Sequence, residues 1–253
     1  MALNSQNTSN APIEPWMTEL SAWADVFDIS IDTLSQDKGE LLAEEKLNKE
    51  KRWLDSIPIT TLYASETDNY GLTEFAFFII SDSWKEPSLI SLKNKTGASL
   101  LFGLQTTNHC ISSFEVIDSV IRCKPDEVQQ VIKVFEVLSN RRGNLIDIDF
   151  NDVKTALKPT QPAQFIQATT MGNDRLDRTR QAIAKALKQI PENTNINTLI
   201  LSVKSNDDLS LEDFSIIDTA VDNRVTEDTN IWYGTGSIDE PNCCQIEVVY
   251  WIE

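Results

Sequence analysis

Three aspartates stand inside a short apolar run. NLIDIDFNDVK, residues 144–154, sets Asp147, Asp149 and Asp152 among Leu145, Ile146, Ile148, Phe150 and Val153. Acids placed this way do one of two things. They cap a helix beginning near Asn151 and solvate a turn, or they aim at something outside the molecule. The residues alone leave both readings open. The remaining inventory for chemistry is thin. His109 is the only histidine, which excludes a His-rich zinc site and any triad not built on His109 itself. Cys110, Cys123, Cys243 and Cys244 show no CxxC spacing, and the adjacent Cys243 and Cys244 are poorly placed for one shared metal. His109 and Cys110, as neighbours in a strand, would point to opposite faces. Arg175, Arg178 and Arg180 read as a solvated helix face rather than an anion site, and no metal or cofactor is expected.

Glycine is scarce, with eight in 253 residues and no two adjacent. A loop that wraps phosphate needs clustered glycines, so that several backbone N–H groups can approach the anion. Only YGTGS, residues 233–237, comes near such a cluster, and no GxGxxG or Walker spacing occurs. The net charge of −17 argues against nucleic acid as a partner. Residues 205–253 hold twelve Asp or Glu against Arg224 alone. Arg141, Arg142, Arg175, Arg178, Arg180, Lys185 and Lys188 gather upstream. This asymmetry reads as a solvated acidic face, or as a module that docks head to tail on a partner. Residues 1–12 are polar without a basic or apolar signal region. No run suits a membrane span, so a cytoplasmic protein is expected.

The elements that must position these groups follow from pattern. Residues 13–57 read as loosely amphipathic helix carrying Trp16, Trp23 and Trp53, the first two offering partner anchors. Strands are expected at 59–63, 73–80, 98–104 and 114–123, bounded by turn residues that include Pro87 and Gly97. Pro125 opens a helix ending before Gly143, apolar nearly all round and so expected to run between two packed units. The second half reads αβαββ. A helix capped by Asn173 or Asp174 comes first, then a strand at 197–205 and a helix with Ser210 and Asp213 in capping-box spacing. Two final strands close the chain.

From about residue 114 onward these stretches resemble the bacterial tubulin-like division GTPase family, FtsZ. VIDSVIRCKPDEV (116–128) looks like the strand and turn before that family's central helix. GNLIDIDFNDVKTAL (143–157) is similar to its synergy loop, G-x-x-N-x-D-F-x-D-V, with Asp147 in place of the family's Asn. TMGNDRLDRTRQAIAKAL (170–187) resembles its G-x-x-R-A helix, and NIWYGTGSID (230–239) its Asn-x-x-x-Gly-Thr strand. Nothing in residues 1–110 resembles the family's glycine-rich phosphate loop. With the last strand expected to reach almost to Glu253, the family's linker and partner-binding peptide are not expected here.

The resemblance implies an α/β fold of the tubulin/FtsZ type. A flexible leader (1–30) would precede a reduced Rossmann-like unit (31–124), a central helix (125–142) and a smaller mixed-sheet C-terminal domain (143–253). It also implies that Asp149 and Asp152 act in trans on a neighbour's nucleotide, with Asp147, Phe150, Asn151, Arg175 and Arg178 at the partner contact. The function expected is a non-GTPase that binds the division GTPase or its own copies and modulates filament assembly, with capping of one filament end through the synergy loop as one form of it. The alternatives are a divergent active GTPase and a structural homo-oligomer.

Overall fold

A computed structural model describes residues 57–65, 70–107, 114–136, 157, 162–206 and 209–252, all within a unit spanning Trp53–Glu253. The elements run β1 (Thr60–Tyr63), β2 (Phe75–Ile79), α1 (Glu86–Thr96), β3 (Leu100–Gln105), β4 (Ser119–Arg122), α2 (Val128–Glu136), β5 (Ala163–Met171), α3 (Arg175–Leu187), β6 (Ile196–Ser205), α4 (Leu211–Asp222), β7 (Asn230–Ser237) and β8 (Cys243–Ile252). The strands form one eight-stranded mixed sheet in the order β1-β2-β3-β4-β5-β8-β6-β7. β1 to β4 are parallel neighbours, and β4 continues parallel into β5. β8 then lies antiparallel between β5 and β6, and β7 runs parallel to β6 at the far edge. The fold is α/β, as expected.

The β4–β5 seam is narrow. Only Ile121↔Ala163 and Arg122↔Gln164 pair across it, whereas β5 and β8 pair over eight positions from Gln164↔Tyr250 to Met171↔Cys243. What closes the seam is packing. α2 buries Val128, Val131, Ile132, Val134 and Phe135 in a core shared by Phe75, Phe77, Phe102 and Ile121 on one side and Phe165, Ile200, Val249 and Trp251 on the other. α2 touches β1 at one end of the sheet order and β8 and β6 towards the other, so the sheet curls around it. Trp251 also reaches back across the seam, its Nε1 donating to Ser119 Oγ at 2.9 Å. α1, α3 and α4 cover the opposite face. α1 packs over Ala76, Phe78 and Leu101, while α3 and α4 pack over Ile166, Leu199, Leu201, Ile246 and Val248.

Several expectations change. Pro87 and Gly97 do not bound a loop. They are the first-turn proline and the left-handed C-cap (φ 62°) of α1, a helix whose apolar stripe is too weak to show a period. β5 is a strand additional to the expected αβαββ order, and Gln164, Gln167, Thr169 and Thr170 interrupt its alternation on both faces. β4 is shorter than 114–123. Glu86 accepts the Glu115 and Val116 amides, so a side chain rather than a ladder satisfies the start of this stretch, and backbone pairing to β3 begins at the Asp118 N–H to Leu101 carbonyl bond. α2 is not apolar all round, since Gln129 and Lys133 face solvent. Residues 137–142 of the expected central helix lie outside the described residues. The last strand, β8, is a central strand buried on both faces.

Candidate functional site

In open α/β sheets, ligands sit outside the carboxyl ends of the parallel strands. Here β3 ends at Gln105 and β4 at Arg122, and a cleft of about 580 Å³ opens beyond them. Its walls are Gln105, Thr106, Thr107 and Arg122–Pro125, then Glu127, Gln164–Ile166 and Gln189. Among the described residues, no glycine lines it. The Arg122 Nε donates to Gln105 Oε1 at 3.1 Å, which holds the guanidinium at the rim.

The cleft floor is organised by Glu127, whose side chain is 8% exposed. It closes a capping box at the start of α2. The Lys124 backbone N–H donates to Glu127 Oε2 at 2.9 Å and the Lys124 ammonium to Oε1 at 3.1 Å. Burial pushes this carboxyl up, but those donors and the Gln167 amide outweigh it and leave it below the ordinary carboxylate range. Burial, helped by Glu127 and Asp126, pushes the Cys123 thiol up to about 11. It is therefore protonated near neutrality and is no nucleophile.

From Glu127 a line of polar side chains crosses the α2 face of the sheet. Gln167 Nε2 donates to Glu127 Oε1 at 3.3 Å, and Gln245 Nε2 donates both to Gln167 Oε1 (3.2 Å) and to Glu247 Oε1 (3.0 Å). The Lys204 ammonium rests on Glu247 Oε2 at 2.6 Å. The line thus spans β5, β8 and β6. Burial pushes the Glu247 carboxyl up, and Lys204 and Lys133 only partly offset that. Sequence reasoning missed this network. Its signals were the K-P-D-E spacing of Lys124 to Glu127 and the i, i+2 pair Gln245 and Glu247 inside an apolar strand.

A second polar cluster ties the N-termini of α3 and α4. Asp213 is fully buried, accepting from the Ser210 N–H (2.9 Å), the Ser210 hydroxyl (2.8 Å) and the Thr179 hydroxyl (2.8 Å). Arg175 Nη1 reaches its Oδ2 at 2.8 Å. Burial raises this carboxyl, yet these donors prevail and hold it below its ordinary range. Asp174, not Asn173, caps α3, and the expected Ser210–Asp213 capping box is present.

Arg175 and Arg178 are therefore not a solvated face. Arg178 is 2% exposed and donates to the Gly172 carbonyl, while Arg175 keeps 31% of its side chain in solvent beside Asp213. Arg180 does face water, paired with Asp177. Asp147, Asp149, Phe150, Asn151 and Asp152 lie outside the described residues, as do His109, Cys110, Trp16 and Trp23. Cys243 and Cys244 are buried with free thiols on opposite faces of β8. Among the described residues no three His, Cys, Asp or Glu gather as metal ligands would, and no helix is long and apolar enough to cross a membrane.

No protein-family model and no curated protein matches the sequence. Solved structures do match the fold. A point mutant of FtsZ from M. jannaschii superposes with a TM-score of 0.53 at 16% identity, over 71% of this chain and 65% of that one. An FtsZ dimer from M. jannaschii gives 0.50 at 14% identity, over 71% and 63%. CetZ from Methanosaeta thermophila gives 0.48 at 12%, over 72% and 62%. This chain thus spans under two thirds of the length of each. The mixed sheet curled around α2, with α3 and α4 behind its antiparallel half, is a tubulin/FtsZ-like fold.

Proposed function

We propose that the protein is a non-GTPase of the tubulin/FtsZ-like fold that binds a division-GTPase filament, or its own copies, and modulates assembly. The observation that carries this reading is the cleft at the carboxyl ends of β3 and β4. Among the described residues its walls mix amide, hydroxyl and charged side chains with Cys123, Pro125, Phe165 and Ile166 and include no glycine, and the Glu127 carboxylate lies among them. A triphosphate needs backbone N–H groups at close range and is repelled by a carboxylate. Asp149 and Asp152 supply the complementary half. On a partner's nucleotide they would position the attacking water, with Asp147, Phe150, Asn151 and the exposed edge of Arg175 at the contact. Buried Arg178 would act there by holding the turn at Gly172.

The test measures GTP turnover and pelleted mass of the division GTPase, titrated with wild type and with Asp149→Ala/Asp152→Ala. A substoichiometric change in polymer mass, with a turnover effect that depends on the two acids, supports the reading. Micromolar GTP binding by the purified protein alone, seen by calorimetry, would overturn it in favour of an active GTPase.

A further inference from the structure

β7 closes the sheet and, among the described residues, pairs on one side only, with β6 over eight positions from Thr198↔Asn230 to Ser205↔Ser237. Its sequence NIWYGTGS contains no charged residue and no proline. Open edges are ordinarily blunted by an edge lysine, a proline, a bulge or a very short strand, because their unpaired N–H and C=O groups template another strand. β7 has none of these protections, and eight residues offer roughly 26 Å of edge at about 3.3 Å per residue. The opposite edge, β1, is four residues long.

The surroundings of β7 are as one-sided in charge as the strand is bare of it. Glu227 and Asp228 stand exposed before it, and Asp239 and Glu240 stand exposed after it. Above it on α4, Asp218 accepts from the Tyr233 hydroxyl at 3.1 Å, and Asp222 lies close enough to act on the same phenol. The nearest basic groups are engaged: Lys204 is held by Glu247, and Arg224 donates to the Pro191 carbonyl.

This pattern decides between occupants. In an antiparallel two-fold pair of β7 strands that uses the full edge, Asn230 would face Ser237. Asp228 would then face Asp239, and Glu227 would face Glu240. Like charges directly opposite one another destabilise a ladder, so a second copy is the wrong partner. We infer that the β7 edge is a docking site for an extended segment of a partner protein, added as a further strand, with basic residues at both ends of an uncharged β-prone stretch. Backbone pairing would supply the grip, and the four flanking acids the choice of partner. This inference stands on the edge and its acids alone and does not depend on the filament reading.

The probe is a labelled peptide in which an eight-residue Thr-Val repeat carries two lysines at each end. A matched peptide ending in glutamates is the control. Fluorescence anisotropy should show binding of the lysine peptide only, weakened about tenfold by roughly 0.5 M salt as the flanking charges are screened. Hydrogen exchange should show new protection at Asn230–Ser237. Reversing the exposed acids (Glu227→Lys/Asp228→Lys/Asp239→Lys/Glu240→Lys) leaves the core untouched and should switch preference to the glutamate peptide. Equal binding of both peptides, no binding of either, or protection elsewhere overturns the inference. Sedimentation of the wild type as a dimer with β7 amides protected would overturn it in favour of self-pairing.

Discussion

The two halves of the sheet are stabilised differently. In the parallel half, β1 to β4, the interior is apolar on both faces. Phe75, Phe77, Phe102 and Phe135 pack with ring centroids 4.7 to 6.2 Å apart, and the buried polar side chains there, Thr73, Thr96 and Ser119, are neutral hydroxyls. From α2 onward the interior carries charge: Glu127, Arg178, Asp213 and Glu247 are all buried. The first half therefore depends on area removed from water. The second adds fully buried carboxylates whose pairing titrates, whereas the carboxylates of the first, Glu86 and the Asp118 paired with Lys93, stand at its partly exposed margin.

The largest test of that contrast is Phe102→Ala, which removes the ring that contacts three others. A loss of roughly 3–5 kcal/mol is expected, read from the denaturant midpoint and unchanged between pH 4 and 7. A pH-dependent loss would break the distinction. Next comes Asp213→Ala, which strips Ser210, Thr179 and Arg175 of their shared acceptor. It should cost about 2–3 kcal/mol at neutral pH and much less in acid.

The pH profile itself sharpens the point, because two buried carboxylates pull in opposite directions. Asp213 is held below its ordinary range, so its contribution is complete above about pH 4 and is lost as pH falls towards the folded value. Glu247 is held above its ordinary range, so the folded state binds its proton more readily than the unfolded one. Its contribution is greatest below about pH 4 and declines as pH rises through the folded value. Stability between pH 2 and 7 should fall less steeply in acid for Asp213→Asn than for wild type. For Glu247→Gln, the decline on raising the pH above 4 should be lost. The smallest effect is assigned to the apolar half. Gly97→Ala forces a side chain onto φ 62° at the end of α1 and should cost about 1 kcal/mol at every pH, measured by thermal unfolding.

What the sequence disclosed follows the same division. Strands with strong β-branched or aromatic runs, such as β2, β3 and β6, were legible, as was the Ser210–Asp213 box, because local pattern and tertiary role agree there. α1 was hidden because a helix burying only Leu89, Leu92 and Thr96 has little periodicity, so its proline and glycine looked like turn residues. β5 was hidden because its polar residues have partners the pattern does not show: Gln167 sits in the line from Glu127 to Lys204, and the Thr170 hydroxyl donates to the Arg178 carbonyl. Arg175 and Arg178 were misjudged for a related reason. Charge in one dimension looks solvated, and only the fold brings Arg175 against Asp213 and buries Arg178 at the Gly172 carbonyl. The acids at 147–152 were legible as a motif. Their geometry lies beyond the described residues.

The β4–β5 seam sets a mechanical asymmetry. A force that pulls the two halves apart along their strands is shared by the two ladder pairs at Ile121 and Arg122, against eight at β5–β8. The hydrogen-bonded seam is thus the weaker element under shear. What resists rupture there is the side-chain wedge of α2 and Trp251, which yields only after the aromatic core has been opened to water. Stretched between handles on β1 and β7, the molecule should part first into two folded pieces. Trp251→Phe, which deletes the Ser119 tether while keeping a large ring, should lower the force of that first event and leave the later ones unchanged.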